Sequence, residues 1–204
     1  MMARLACLLT ILFMLPISQV SAKGKESVTE TRSGNVGVAP MYGLVYPRLL
    51  NEDGTYASFS GSQYGPQLTL RLTGDDETPG LTLFGQYLWG TAKETGQSAT
   101  LARNELSFGV SGNIIPGLYG YFSYGQHSVK VSKSGYSDTS LTGRVLGVGC
   151  GLDLFSIGSS LTVNIQGWYK TGVFKKNENS DLLSNSAFDS FEGYLSLRWA
   201  PTLT

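Results

Sequence analysis

The chain holds one histidine, His127, followed directly by Ser128. Histidine beside serine suggests hydrolysis, in which the imidazole takes the hydroxyl proton and a carboxylate orients the ring. Successive residues of an extended strand point to opposite faces, however, so His127 shares its side with Gly125 and Val129 and not with Ser128. His127 is therefore read as a polar filler, with catalysis as the alternative. Gly147, Gly149 and Gly151 form a GxGxG pattern, but no helical periodicity follows it, as a nucleotide fingerprint requires. Glycine at period two instead supplies small positions on one face of a curved strand. Asp53-Gly54, Asp75-Asp76-Glu77 and Asn177-Glu178-Asn179 lack the ligand spacing of a calcium loop and read as turns. No metal and no cofactor is expected.

Six charged residues fall on the polar side of stretches that otherwise alternate: Arg71, Glu105, Asp153, Lys170, Glu192 and Arg198. If that side is an interior, the charges must be paired, because an isolated buried charge is too costly. Lys170, Glu192 and Glu105 fall toward one end, Arg71, Asp153 and Arg198 toward the other, and each group contains both signs. The expected network has Lys170 paired with Glu192 and Glu105 close enough to compete.

The elements that must carry these residues are strands. The clearest stretch runs from Asn104 to Gly125, where Leu106, Phe108 and Val110 alternate with Glu105, Ser107, Gly109, Ser111 and Asn113. Ile115-Pro116-Gly117 then supplies turn chemistry before a second aromatic-rich strand from Leu118 to Tyr124. The same alternation marks strands at about Asn35–Tyr46, Tyr64–Thr73, Leu81–Trp89, Arg144–Phe155, Leu161–Val173 and Phe191–Trp199. Pro40, which removes a ladder donor, predicts a bulge or local break in the first of them. Long polar stretches (Pro47–Ser62, Thr91–Arg103, Lys130–Gly143, Lys175–Ser190) alternate with short turns. Eight strands with this loop asymmetry predict an all-β fold, an eight-stranded antiparallel up-and-down transmembrane barrel with a polar, filled lumen.

Residues 1–22 carry Arg4, an apolar run from Leu5 to Leu15, and a small-residue Val20-Ser21-Ala22 site, which reads as a cleaved secretory signal. Residues 23–34 form a polar leader, 35–199 the barrel, and 200–204 a short tail. Past the signal only Cys150 remains, so no intramolecular disulfide can form. Fifteen basic residues balance fifteen acidic ones, which argues against a nucleic-acid partner. Tyr46, Tyr64, Trp89, Tyr124, Tyr169 and Phe191 fall near one rim on the oily face, the pattern of an aromatic girdle.

In strand number, loop asymmetry and the final strand Tyr194-Leu195-Ser196-Leu197-Arg198-Trp199, the region 35–199 resembles the small eight-stranded outer-membrane proteins of the OmpA and OmpX type. The resemblance implies the cell outer membrane of a Gram-negative bacterium, a monomer, and contact with outer-membrane lipid, lipopolysaccharide included. It also implies that Leu195, Leu197 and Trp199 form a signal for the outer-membrane insertion machinery. Ala200-Pro201-Thr202-Leu203-Thr204 follows Trp199, whereas family members finish on the aromatic residue. The expected role is structural, or surface interaction through the outer loops. The alternatives are a barrel enzyme on lipid resembling the lipid A deacylases, a narrow pore, and a secreted lipocalin-like binder.

Overall fold

The structure, a computed structural model, describes residues 36–50, 54–72, 80–96, 98–134, 138–158, 160–176 and 187–200. The signal at 1–22, the leader at 23–34, Asn35, Asp53, the acidic turn at 75–77, Asn177-Glu178-Asn179 and the last four residues of the tail lie outside the described residues. Eight strands follow in order: β1 (Val36–Leu50), β2 (Tyr56–Arg71), β3 (Leu81–Glu94), β4 (Thr100–Ile115), β5 (Leu118–Ser132), β6 (Thr139–Ile157), β7 (Leu161–Lys176) and β8 (Ala187–Trp199). Each pairs antiparallel with the next, and β8 pairs with β1, closing the barrel.

One end of the barrel, the lower rim, carries the strand ends Val36, Arg71, Leu81, Ile115, Leu118, Ile157, Leu161 and Trp199. The upper rim carries the opposite strand ends, Leu50, Tyr56, Glu94, Thr100, Ser132, Thr139, Lys176 and Ala187. The turn glycines Gly117 and Gly158 have φ of 78° and 64°, which only glycine adopts freely.

Strand faces follow the alternation read from the sequence. Tyr42, Leu44, Leu68, Leu83, Phe108, Phe122, Val148, Ile165 and Leu195 are among the apolar residues exposed on the outside. Gln67, Gln86, Glu105, Ser107, Asn164, Gln166, Lys170 and Glu192 are buried inside. A band of apolar side chains around the whole circumference exceeds what a water-soluble surface tolerates, and suits lipid as solvent.

Three expectations need correction. The long polar stretches are mostly strand: β1 continues through Pro47 to Leu50, β2 starts at Tyr56, β4 at Thr100, β6 at Thr139 and β8 at Ala187. Consequently long and short connections do not alternate, since more residues separate β2 from β3 at their lower ends than separate β1 from β2 or β3 from β4 at their upper ends. The reason is a switch of polarity along unbroken strands. Near the upper rim the apolar residues move to the inside (Leu49, Phe59, Leu101, Val129, Leu141, Phe174, Phe188), while Arg48, Ser60, Lys93, Lys130 and Arg144 face out. The third correction concerns Pro40, which sits in unbroken β1–β2 register directly opposite Pro66. The irregularities lie beside the two tight turns instead, between Asn113 and Ile115 and between Asp153 and Phe155.

Candidate functional site: the layered lumen

The lumen is filled in layers. Uppermost is the apolar cluster of Leu49, Phe59, Leu101, Val129, Leu141, Val145, Phe174 and Phe188 with Ala92 and Ala99. Below it lie the charges. Lys170 on β7 donates from Nζ to Glu105 Oε1 on β4 at 2.6 Å and lies 2.9 Å from Glu192 Oε2 on β8. Arg103 on β4 completes a quartet: its Nη2 is 2.7 Å from Glu105 Oε2 and its Nη1 2.5 Å from Glu192 Oε1. Two cations and two carboxylates, all with side chains at most 2 % exposed, thus bridge across the bore. Ser107 Oγ also donates to Glu105 at 3.0 Å, and the Tyr194 hydroxyl lies 2.7 Å from Glu192 Oε2 and 2.9 Å from Gln63 Oε1. Multiple short contacts to each carboxylate are the condition under which such burial is sustainable.

Arg103 is absent from the network expected from sequence, because it ends the polar stretch Thr91–Arg103, which reads as a connection. Its signal was parity: Arg103 stands two residues before Glu105 and therefore on the same face. Lys170 and Glu192 also sit deeper than expected, with the apolar cluster between them and the upper rim.

Under the quartet comes an aromatic layer of Phe84, Trp168 and Tyr121 with Met41, Val45, Leu88 and Tyr194. Trp168 stands 5.2 Å from the Tyr121 ring and 5.9 Å from Phe84. Inward glycines make room: a Cβ on Gly149 would come within 2.9 Å of the Trp168 ring, and one on Gly43 within 2.5 Å of the Tyr194 ring. A relay of amides ties this layer to the charges. Trp168 Nε1 donates to Gln166, Gln166 to Gln67, Gln67 to Gln86 and Gln86 to Glu105, at 3.0, 3.4, 3.2 and 3.4 Å.

The lower end opens into a polar cavity of about 400 Å³ lined by Arg71, Tyr119, Asp153, Asn164 and Arg198 among others. Asp153 accepts from Tyr119 at 2.7 Å, Asn164 at 2.8 Å and Arg198 at 3.2 Å. Arg71 lines the same cavity.

His127 is 1 % exposed and wedged between Phe174 and Phe188, with ring centroids 5.2 and 4.7 Å away. Neither imidazole nitrogen has a hydrogen-bond partner, and Ser128 lies on the opposite face. The ring packs as one more aromatic beside Phe174 and Phe188 of the upper cluster.

On the outside, Tyr169, Phe191 and Tyr46 are register partners across β7, β8 and β1, and Tyr64 meets Trp89 edge-on at 4.8 Å across β2 and β3. Tyr124 stands apart from this arc on β5, opposite Phe108 and Leu146. Leu195, Leu197 and Trp199 form the exposed face of β8 below it.

No family model and no curated protein matches the sequence. Solved structures do. The solid-state NMR structure of the outer membrane protein AlkL in DMPC bilayers superposes with a TM-score of 0.51 at 14 % identity, covering 89 % of this chain and 97 % of that one. Ail, the attachment invasion locus protein of Yersinia pestis, gives 0.50 at 14 % identity, covering 80 % and 98 %. Neisserial surface protein A gives 0.46 at 14 % identity, covering 80 % and 97 %. The chain has the fold of the small eight-stranded outer-membrane β-barrels. In this fold the apolar side chains point outward and the quartet lies in the bore.

Proposed function

We propose that this protein is a monomeric outer-membrane barrel with a closed lumen, which serves a structural or surface-interaction role through its upper rim and upper wall. The observation that carries the reading is the buried quartet: four mutually paired charges, capped by the apolar cluster above and floored by Trp168, Tyr121 and Phe84 below. Eight strands enclose an interior that side chains can fill, and here two layers of large side chains stand across any ion path. The upper rim faces the cell exterior in this reading, and the chain ends face the periplasm. The girdle residues anchor the barrel at the outer interface, and Leu195, Leu197 and Trp199 serve the insertion machinery.

The environment of His127, walled by two phenylalanines, gives an enzyme reading no support. The outward apolar belt likewise speaks against a secreted lipocalin-like binder, which would carry its apolar face inside throughout.

The test is planar-bilayer recording on the refolded chain, beside cell fractionation and a detergent gel with and without heating. Silent bilayers, recovery with the outer membrane and heat-dependent migration are expected, because a closed barrel keeps its backbone bonds internal. Steady single-channel currents would overturn the closed lumen. Release with the soluble periplasm would overturn the membrane location.

A further inference from the structure

The lower cavity is a one-ended cup. The layer of Trp168, Phe84 and Tyr121 closes it from above, and Gln166 donates to Gln67 across its inner end at 3.4 Å. Its mouth lies at the lower rim, where Arg71 and Ala200 line it. Its volume of about 400 Å³ falls within the ~300–1,000 Å³ of small-molecule sites.

The lining is polar in an ordered way. Thr69, Thr82, Ser111, Thr162 and Ser196 bring hydroxyls from β2, β3, β4, β7 and β8. Gln67, Asn164 and Gln166 bring planar amides, and Asp153 with Arg198 brings a planar ion pair at 3.2 Å. Phe84, Tyr119 and Tyr121 add aromatic surface. These groups are held in place: Asp153 accepts from Tyr119 on β5, Asn164 on β7 and Arg198 on β8. The bulge between Asp153 and Phe155 lets Asp153 and Ser156 both line the cavity despite their opposite parity. A guest therefore meets partners that are already ordered, and little entropy is lost in arranging them.

We propose that this cup binds a neutral mono- or disaccharide. Hydroxyls on adjacent ring carbons match planar amide, carboxylate and guanidinium groups, each of which offers two donor or acceptor directions. The C–H face of a pyranose is apolar enough to lie on an aromatic ring. An apolar guest is disfavoured, because it would strand the amides and hydroxyls without partners. An ionic guest is disfavoured as well, since Asp153 and Arg198 neutralise one another and a carboxylate on Arg198 would have to displace Asp153. In the orientation proposed above the mouth opens to the periplasm, which makes the guest a periplasmic sugar. The site itself does not depend on that orientation.

The experiment uses the folded full chain in phosphatidylcholine nanodiscs, free of sugar-headed detergent, and follows its side-chain amide resonances by NMR during titration with maltose or with glucuronate. Maltose is expected to shift the Gln67, Asn164 and Gln166 amides saturably, and glucuronate to bind more weakly. Asn164→Leu is expected to weaken maltose binding about tenfold, the effect of one or two hydrogen bonds. Thr82→Trp fills the cup from β3 and is expected to abolish the response, in a protein whose heat-dependent gel migration shows it folded. Ser140→Ala, exposed near the upper end of β6, is expected to change nothing. Amides that stay unmoved in maltose overturn the site, and so does a response that survives undiminished in Asn164→Leu and Thr82→Trp. Tighter binding of glucuronate than of maltose overturns the neutral class and makes the mouth an anion site.

Discussion

Lys170 on β7 lies closer to Glu105 on β4, at 2.6 Å across the bore, than to Glu192 on the adjacent strand β8, at 2.9 Å. The ammonium therefore ties opposite walls of the barrel together, and Arg103 does the same from the β4 side through Glu192. Each cation shares both carboxylates, so no member of the quartet can leave without stranding charge.

That sharing sets a sign for mutagenesis. Glu192→Gln leaves two buried cations facing one carboxylate and is expected to cost about 3–5 kcal/mol. Lys170→Met combined with Glu192→Gln leaves the neutral Arg103–Glu105 pair and should recover most of that loss. Urea unfolding in lipid vesicles, run as a double-mutant cycle, measures the coupling, and strictly additive losses would show that the four charges do not act as a unit.

Tolerance to charge should differ sharply between neighbours. Leu68 is 57 % exposed on the outer face, and an arginine there enters hydrocarbon at a cost of roughly 2–4 kcal/mol. Thr69 lines the polar lower cavity, where an added guanidinium keeps access to water. The variants Leu68→Arg and Thr69→Arg, compared for folding yield in vesicles, should differ in that order, and a reversal would mean the strand faces are inverted.

Inward and outward glycines give a second contrast. Valine at Gly149 would press on Trp168 and the Gly167 carbonyl, and overpacking of this kind costs about 1–3 kcal/mol. Valine at Gly167, where an added Cβ meets nothing within 4 Å, should be close to neutral. Equal unfolding midpoints for the two variants would argue against a tightly packed Trp168 layer.

The single described cysteine reports on lipid contact. Cys150 is exposed on the outside of β6 between Val148 and Leu152. In intact bilayers it should resist a charged maleimide from either side and react fully once the barrel is unfolded in denaturant. Rapid labelling of the inserted protein would place this face in water.

The strand faces were legible because period two survives wherever an apolar exterior backs a polar bore, as in Leu106-Ser107-Phe108-Gly109-Val110. The strand ends were not. At Leu101-Ala102-Arg103-Asn104-Glu105 the inward side passes from apolar to charged, while the outward side turns polar. A reading keyed to one oily face loses the strand at that change of solvent and substitutes a loop. The same error concealed Arg103, whereas Lys170, Glu105 and Glu192 stood within clear alternation and could be set on one face. The depth of that layer depended on the apolar cap above it, whose members are spread over all eight strands and have no local signature.

The upper wall is paired β-structure along Leu44–Leu50 and Tyr56–Ser62, with Arg48 pinned to Asp189 between β1 and β8. A macromolecule approaching it would meet side chains set at the strand spacing of about 4.8 Å, on a backbone whose hydrogen bonds are already spent. Little ordering entropy is then left for this side of an encounter to lose, and the cost of fitting falls on the visitor. Such a surface offers a fixed stencil, on which one altered residue changes a single mark and leaves the rest where they were.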